Sequence, residues 1–311
     1  MYRTCRSDTV PEDSRSEFAD FLRTRRSRLD PDQAGLPHDG STRRVPGLRR
    51  DEVARLAGMS TVYYTRLEHG RAGNPSPEVL EALGRALQLD PSEMRYMQDL
   101  LRRPSTAARR SRTALQRVRP GLHLMLEAQR VPAFVLGRRT DVLASNRLAR
   151  AVITDFDALP APARNLARYY LLDPTAQETV GDWERVAAET VAILRLEAGR
   201  RPHDRQLADL VGGLTLRSTQ FTTWWNDHRV LRCTYGAKLH HHPVVGDLHF
   251  AFESFPVPGD EDQTLYVYNI EPGSPTDEAL RLLESWNAPA YERTSPDADP
   301  SATTQSWQPG A

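Results

Sequence analysis

The amino-acid sequence predicts a two-domain α+β protein: an all-α N-terminal domain of five helices, then a C-terminal α+β domain with an antiparallel sheet. Three observations predict it. The chain has 311 residues, and at roughly 100–200 residues per domain that length calls for two. Up to residue 103, apolar residues recur at helical spacing between capping signals. Further on, two runs alternate strictly between apolar and polar residues, as half-buried strands do.

The elements follow in order. Residues 1–16 are polar, with mixed charge and no apolar core segment; they read as a disordered leader and not as a secretory signal. Residues 17–29 form a first helix with Phe18, Phe21 and Leu22 on one face, ended by Asp30-Pro31. Residues 30–47, rich in Pro, Gly and Asp, form a long loop. A helix over 49–57 stops at Gly58, which suits a C-terminal cap. Ser60 caps a helix over 61–69, which ends at Gly70. Ser76-Pro77 and Asp90-Pro91 open helices over 77–87 and 91–102. These helices make a domain over residues 17–103, followed by a basic linker over 104–120.

The second domain spans residues 121–290. Residues 133–137 and 141–144 resemble a hairpin, and 146–155 are helical. Asp182 caps a helix running to Gly199, with Val186, Thr190, Val191 and Leu194 on one buried face. Residues 203–228 are helical, with a weak point at Gly212-Gly213. In residues 247–255, Leu248, Phe250 and Phe252 alternate with His249, Ala251 and Glu253; in 264–271, Tyr266, Tyr268 and Ile270 alternate likewise. A Pro-Gly-acidic loop joins the two strands. Ser274-Pro275 opens a last helix with Ala279, Leu282, Leu283 and Trp286 on one face. The tail, 291–311, is rich in Pro, Ser, Thr and Asp and is expected to be disordered.

Charge is unevenly distributed. The chain is neutral overall, yet residues 1–120 carry 23 Lys and Arg against 16 Asp and Glu, and the remainder carries 18 against 25. A basic third fits a polyanionic partner, and DNA is the obvious one. No apolar run is long enough to span a membrane. Two distant cysteines, Cys5 and Cys233, make no disulfide framework, and a reducing cytoplasm is the expected setting.

The strongest motif is residues 50–70, RDEVARLAGMSTVYYTRLEHG. Two short helices meet across a tight turn at Gly58-Met59-Ser60, and small Ala54 permits a close crossing. Val53, Leu56, Met59, Tyr64 and Leu67 are expected inside the pair. That is a helix-turn-helix, whose second helix lies in the major groove. It leaves Thr61, Val62, Tyr63, Thr65 and Arg66 outside. Thr61 and Val62 offer methyl groups to a thymine methyl, and Arg66 suits guanine. Arg50 opens the preceding helix, where a phosphate or base contact is made. Arg43 and Arg44, in the long loop, are expected on phosphates. The plain alternative is a helical hairpin with a solvated face, against which the basic excess argues.

The stretch LRRDEVARLAGMSTVYYTRLEHGRAGNPSPEVLEALGRALQLD resembles the xenobiotic-response-element type of helix-turn-helix regulator. The longer pattern from RRSRLDPDQAGLPHDGSTRRVPGLRRDEVARLAG to YYTRLEHG resembles its MmyB-like branch. The likeness continues through ARYYLLDP, DWERVAAETVAILR, HPVVGDLHFAFESFPVPGDE and EPGSPTDEALRLL, covering about residues 17–287. It implies a PAS-like C-terminal ligand-binding domain of the kind described for MltR-type regulators. It places Thr61, Val62 and Arg66 at base-facing positions and Tyr64 and Leu67 in the core, and it implies an ion pair from Glu68 to Arg25 or Arg26. His69 departs from the pattern, where Gln is common, as do His240-His241 before His242-Pro243.

In the second domain Tyr170, Trp224, Trp225, His228, Phe250, Phe252, Tyr266 and Tyr268 are candidates for the lining of an apolar pocket, or else for ordinary core. His240, His241 and His242 invite a metal reading. Adjacent residues on a strand point to opposite faces, however, so they read as a polar strand edge and no metal is expected. No phosphate-binding loop or nucleophile elbow occurs, so neither cofactor nor catalysis is expected. The reading is a regulator that binds operator DNA as a homodimer. Its second domain either senses a small apolar metabolite or serves as a ligand-free dimerisation or protein-interaction module.

Overall fold

The computed structural model describes residues 12–36, 47–102, 116–231 and 234–286. Arg43 and Arg44, Cys5 and Cys233, and the tail expected over 291–311 lie outside the described residues. The N-terminal domain has helices α1 (Glu12–Arg28), α2 (Arg50–Leu56), α3 (Thr61–Glu68), α4 (Pro77–Ala86) and α5 (Pro91–Leu101). Helix α1 begins five residues before the expected start at 17. Its first turns are held in place: Ser14 is buried and Glu17 is ion-paired, so this part of the leader is ordered helix. Phe21, Leu22, Leu48, Val53, Tyr64, Leu67, Leu83 and Met97 form a buried core. Ser76 accepts from the amide of Val79, and Asp90 from the amides of Ser92 and Glu93, so both capping signals act as caps.

The C-terminal domain begins with α6 (Pro120–Glu127), the hairpin β1 (Ala133–Leu136) and β2 (Val142–Ser145), and α7 (Arg147–Val152). Then come α8 (Leu166–Leu172), α9 (Pro174–Thr179), α10 (Trp183–Arg200), α11 (Arg205–Arg217) and α12 (Thr219–Asn226). Strands β3 (Tyr235–His242), β4 (Gly246–Val257) and β5 (Asp260–Asn269) and helix α13 (Pro275–Trp286) complete it. The five strands form one antiparallel sheet in the order β2-β1-β5-β4-β3, which is the PAS-like α+β layout.

The alternation of β4 sorts its side chains as expected. Leu248, Phe250 and Phe252 are buried, while His249, Ala251 and Glu253 face out. The buried face packs against α8, α10, α12 and α13 in one apolar cluster. At β1 and β5 the opposite face is covered by Leu122 and Leu126 of α6.

Three local expectations need correction. The helix break falls at Ser218, not at Gly212-Gly213. Ser218 adopts an extended conformation and accepts from the amide of Phe221, so it caps α12, whereas the two glycines stay helical. Asp182 stands at the start of α10 in a left-handed conformation without capping it; its carboxylate goes to Arg185 at 2.6 Å instead. The β4–β5 hairpin turns tightly at residues 258–259 with a bulge at Pro256/Val257, so β5 starts at Asp260 within the stretch expected to be loop.

Candidate nucleic-acid interface and sensor cavity

The recognition unit is built by its turn. Helix α2 ends in Gly58 at φ +65°. The amide of Gly58 bonds the carbonyl of Arg55, and that of Met59 the carbonyl of Ala54. This is a Schellman closure, which needs a left-handed residue and so favours glycine. Ser60 then accepts from the amide of Tyr63 at 3.2 Å and starts α3. The pair of helices is therefore set at a fixed angle by one glycine and one serine.

Helix α3 buries Tyr64, Leu67 and Glu68. Thr61, Val62 and Arg66 are exposed, Val62 at 72%, with Tyr63 and Thr65 half-buried beside them. These are the five residues that the spacing leaves outside. Leu56 is the exception among the residues expected inside: it is exposed, because α2 is only two turns long and Val53 and Ala54 already fill the crossing.

Glu68 has no exposed surface. Its carboxylate receives Nε of Arg26 at 2.5 Å and Nε of Arg50 at 2.7 Å. Burial opposes ionisation, but the hydrogen bonds from Arg26 and Arg50 outweigh it and hold the carboxyl below its ordinary value. Arg26 also donates to the carbonyl of Leu48 at 2.8 Å, tying the chain before α2 to α1. Of the two partners implied for Glu68, the structure selects Arg26. Arg25 instead pairs with Glu93 and donates to the carbonyl of His228. Arg50, expected at a phosphate or base, commits its Nε to Glu68 while the rest of its side chain stays partly exposed. It therefore links α2 to α3.

In the second domain an apolar cavity of about 40 Å³ lies between the sheet and α10. Tyr170, Phe252, Tyr266 and Tyr268 line it, as four of the eight expected residues. Phe250 is buried on the same face of the sheet but packs on His240 and Tyr268, outside the lining. Trp224, Trp225 and His228 are elsewhere. Trp224 packs on Trp183, and Trp225 stacks on Phe221. His228 sits with Glu17 and Arg195 at the contact between the domains, where its ring finds the polar partners that an apolar cavity lacks.

Sequence reasoning missed several wall residues: Phe134, Leu136, Thr140, Val186, Thr190, Ile193, and the ion pair of Lys238 with Glu189 at 2.9 Å. One signal was available: Lys238 is the sole lysine in a chain whose other cations are all arginine. A second, more polar cavity of about 130 Å³ adjoins the first, sharing Leu136, Thr140, Ile193 and Tyr266. Arg138, Glu197, Arg200 and Asp262 line it, and Glu197 joins Arg201 at 2.6 Å.

The three consecutive histidines diverge. His240 is buried, with no hydrogen-bond partner at either ring nitrogen. His241 pairs with Asp247 at 2.7 Å, and His242 faces the carbonyl of Ala151 at 3.2 Å. Among the described residues no group of His, Cys, Asp or Glu could hold a metal ion, and no helix is long and apolar enough to cross a membrane.

An exposed recognition helix held by a buried ion-pair cluster, joined to an α+β domain with an internal cavity, defines a DNA-binding transcription regulator of the helix-turn-helix class. The comparisons agree. A helix-turn-helix domain model matches residues 17–97. The model of the MmyB-like transcription regulator ligand binding domain matches residues 118–283, more than half of the chain. The chain belongs to the MmyB-like transcription regulators. No curated protein matches it.

Proposed function

We propose that the chain is a ligand-responsive repressor or activator whose second domain senses a small, mainly apolar molecule in the cavity beneath the sheet. The observation that carries this reading is the cavity itself. It is walled by aromatic and aliphatic side chains, carries one ion pair, Lys238–Glu189, and adjoins a more polar cavity. A lipid-like or polyketide-like molecule suits such a lining, because burying apolar area contributes roughly 25 cal/mol per Å². The N-terminal domain binds a two-fold operator as a homodimer, with half-sites about 34 Å apart.

Native mass spectrometry of the full chain, purified without denaturation, tests the sensing. A bound small molecule is expected, and its removal should lower the thermal midpoint by mass action. The small volume of the apolar cavity favours one second reading, a ligand-free interaction module. A protein that carries no small molecule, and gains no stability from apolar compounds screened against it, would establish that reading. Genome-wide mapping of bound DNA tests the operator; a two-fold consensus is expected.

A further inference from the structure

Helix α10 has two loaded faces. Val186, Thr190 and Ile193 form one wall of the apolar cavity. Towards the N-terminal domain Leu196, with Val230 beyond α12, is buried within that domain's core. Arg195, 2% exposed, stands two residues on from Ile193 and so on the side of α10 away from the cavity. Its guanidinium bonds the carboxylate of Glu17 on α1, Nδ1 of His228 at 2.6 Å and the carbonyl of Trp225 at 2.5 Å. The hydroxyl of Tyr96 on α5 donates to the same Glu17 oxygen at 2.6 Å. The domains are thus bolted together and not merely tethered.

The helix that receives Arg195 also holds the reading head. Glu17 and Arg26 lie on α1, nine residues and so about 14 Å apart along the axis. Arg26 grips Glu68 of α3. Two ion pairs on one helix, Arg26–Glu68 buried and Arg195–Glu17 partly so, therefore join the helix of the cavity wall to the DNA-facing helix. The cavity of about 40 Å³ is far below the roughly 300–1,000 Å³ of an ordinary ligand pocket, and the polar cavity that adjoins it adds about 130 Å³. An occupant of ordinary ligand size must therefore move a wall. The strands are locked in a hydrogen-bonded sheet, whereas α10 is held by side chains.

We infer that α10 is the coupling element of this regulator and that Arg195–Glu17 is its joint, so that displacing α10 from the cavity side moves α1 and with it α3. The inference rests on the sensing proposal for its biological meaning, but its test contains no small molecule.

The test is a double-mutant cycle in the full chain, with Ile193→Trp as a wedge in the cavity and Arg195→Met as the cut joint. The probe is a duplex selected by the wild-type protein from a random pool, and affinity is read by fluorescence anisotropy. The wedge alone is expected to weaken binding about fivefold or more, the scale of an allosteric coupling. With the joint cut, the same wedge should change affinity less than about twofold. Equal effects in both backgrounds, or no effect of the wedge on the wild-type protein, would overturn the inference. If Ile193→Trp does not unfold cooperatively, Thr190→Ile is the smaller wedge. Hydrogen exchange gives an independent reading: the wedge should speed exchange in α1 with the joint intact and leave it unchanged with the joint cut. A failed sensing proposal would show instead as absence of a bound small molecule, with this cycle unaffected.

Discussion

Two residues illustrate how burial decides chemistry. Arg66 is exposed on a helix whose neighbours Tyr64 and Leu67 are fully buried, so it is carried outward on a rigid support. Arg66→Ala should weaken operator binding by about 1–3 kcal/mol and relax preference at one base position. Competition binding with single-base operator variants checks this; an unchanged preference would remove Arg66 from the reading set. His240 is the opposite case. It is enclosed by Phe250 and Tyr268, and burial, then the charges of Lys238 and the neighbouring histidines, push its imidazole down from 6.5 to about 4. The unfolded chain therefore binds this proton more readily than the folded one. Its contribution to stability is complete above pH 6.5 and declines as pH falls towards 4, by on the order of 2–3 kcal/mol. In His240→Leu that part of the acid sensitivity should vanish. Urea unfolding of both proteins between pH 4 and 7 decides it, and parallel pH profiles would refute the assignment.

At the scale of elements, α3 shows what local sequence can specify. It has eight residues, and its base-facing start depends on the Ser60 cap. Ser60→Ala should destabilise the N-terminal domain by about 1 kcal/mol. Because fraying begins at Thr61 and Val62, operator affinity should fall further than non-specific affinity; equal losses for both would mean that the cap serves stability alone. This helix was legible because its signals are local: an apolar period, a serine before it and a glycine either side. The break at Ser218 was not, because Gly212-Gly213 is the stronger breaker by propensity while the fold uses a serine cap. The cavity was legible only in part. The strand aromatics were found from their alternation, whereas Thr140, Ile193 and Lys238 come from elements far apart in sequence that converge only in the fold. Trp224 and Trp225 misled because aromatic residues on a helix serve core and pocket equally well.

At the scale of the molecule, the two domains share a core, for Leu196 of α10 and Val230 are buried among the apolar residues of the N-terminal helices. Gly199 marks how closely they approach. It lies on α10, and a methyl group placed there would overlap the ring of Tyr96 on α5, which is itself fully buried. In an exposed helix, Gly→Ala stabilises by roughly 0.5–1 kcal/mol, because alanine loses less backbone entropy on folding. Gly212 on α11 is such a site, exposed and with nothing within 4 Å of an added methyl. The two substitutions should therefore have opposite signs. Gly212→Ala should raise stability by that increment. Gly199→Ala should lower it by about 1–3 kcal/mol, as overpacking does, despite the same propensity gain. Limited proteolysis should also cut the linker faster in Gly199→Ala, since the contact at risk is the one that docks the domains. Paired thermal unfolding measures both. If Gly199→Ala were as stabilising as Gly212→Ala, α10 and α5 would not be in close contact in solution, and the docking on which the coupling depends would have to be abandoned.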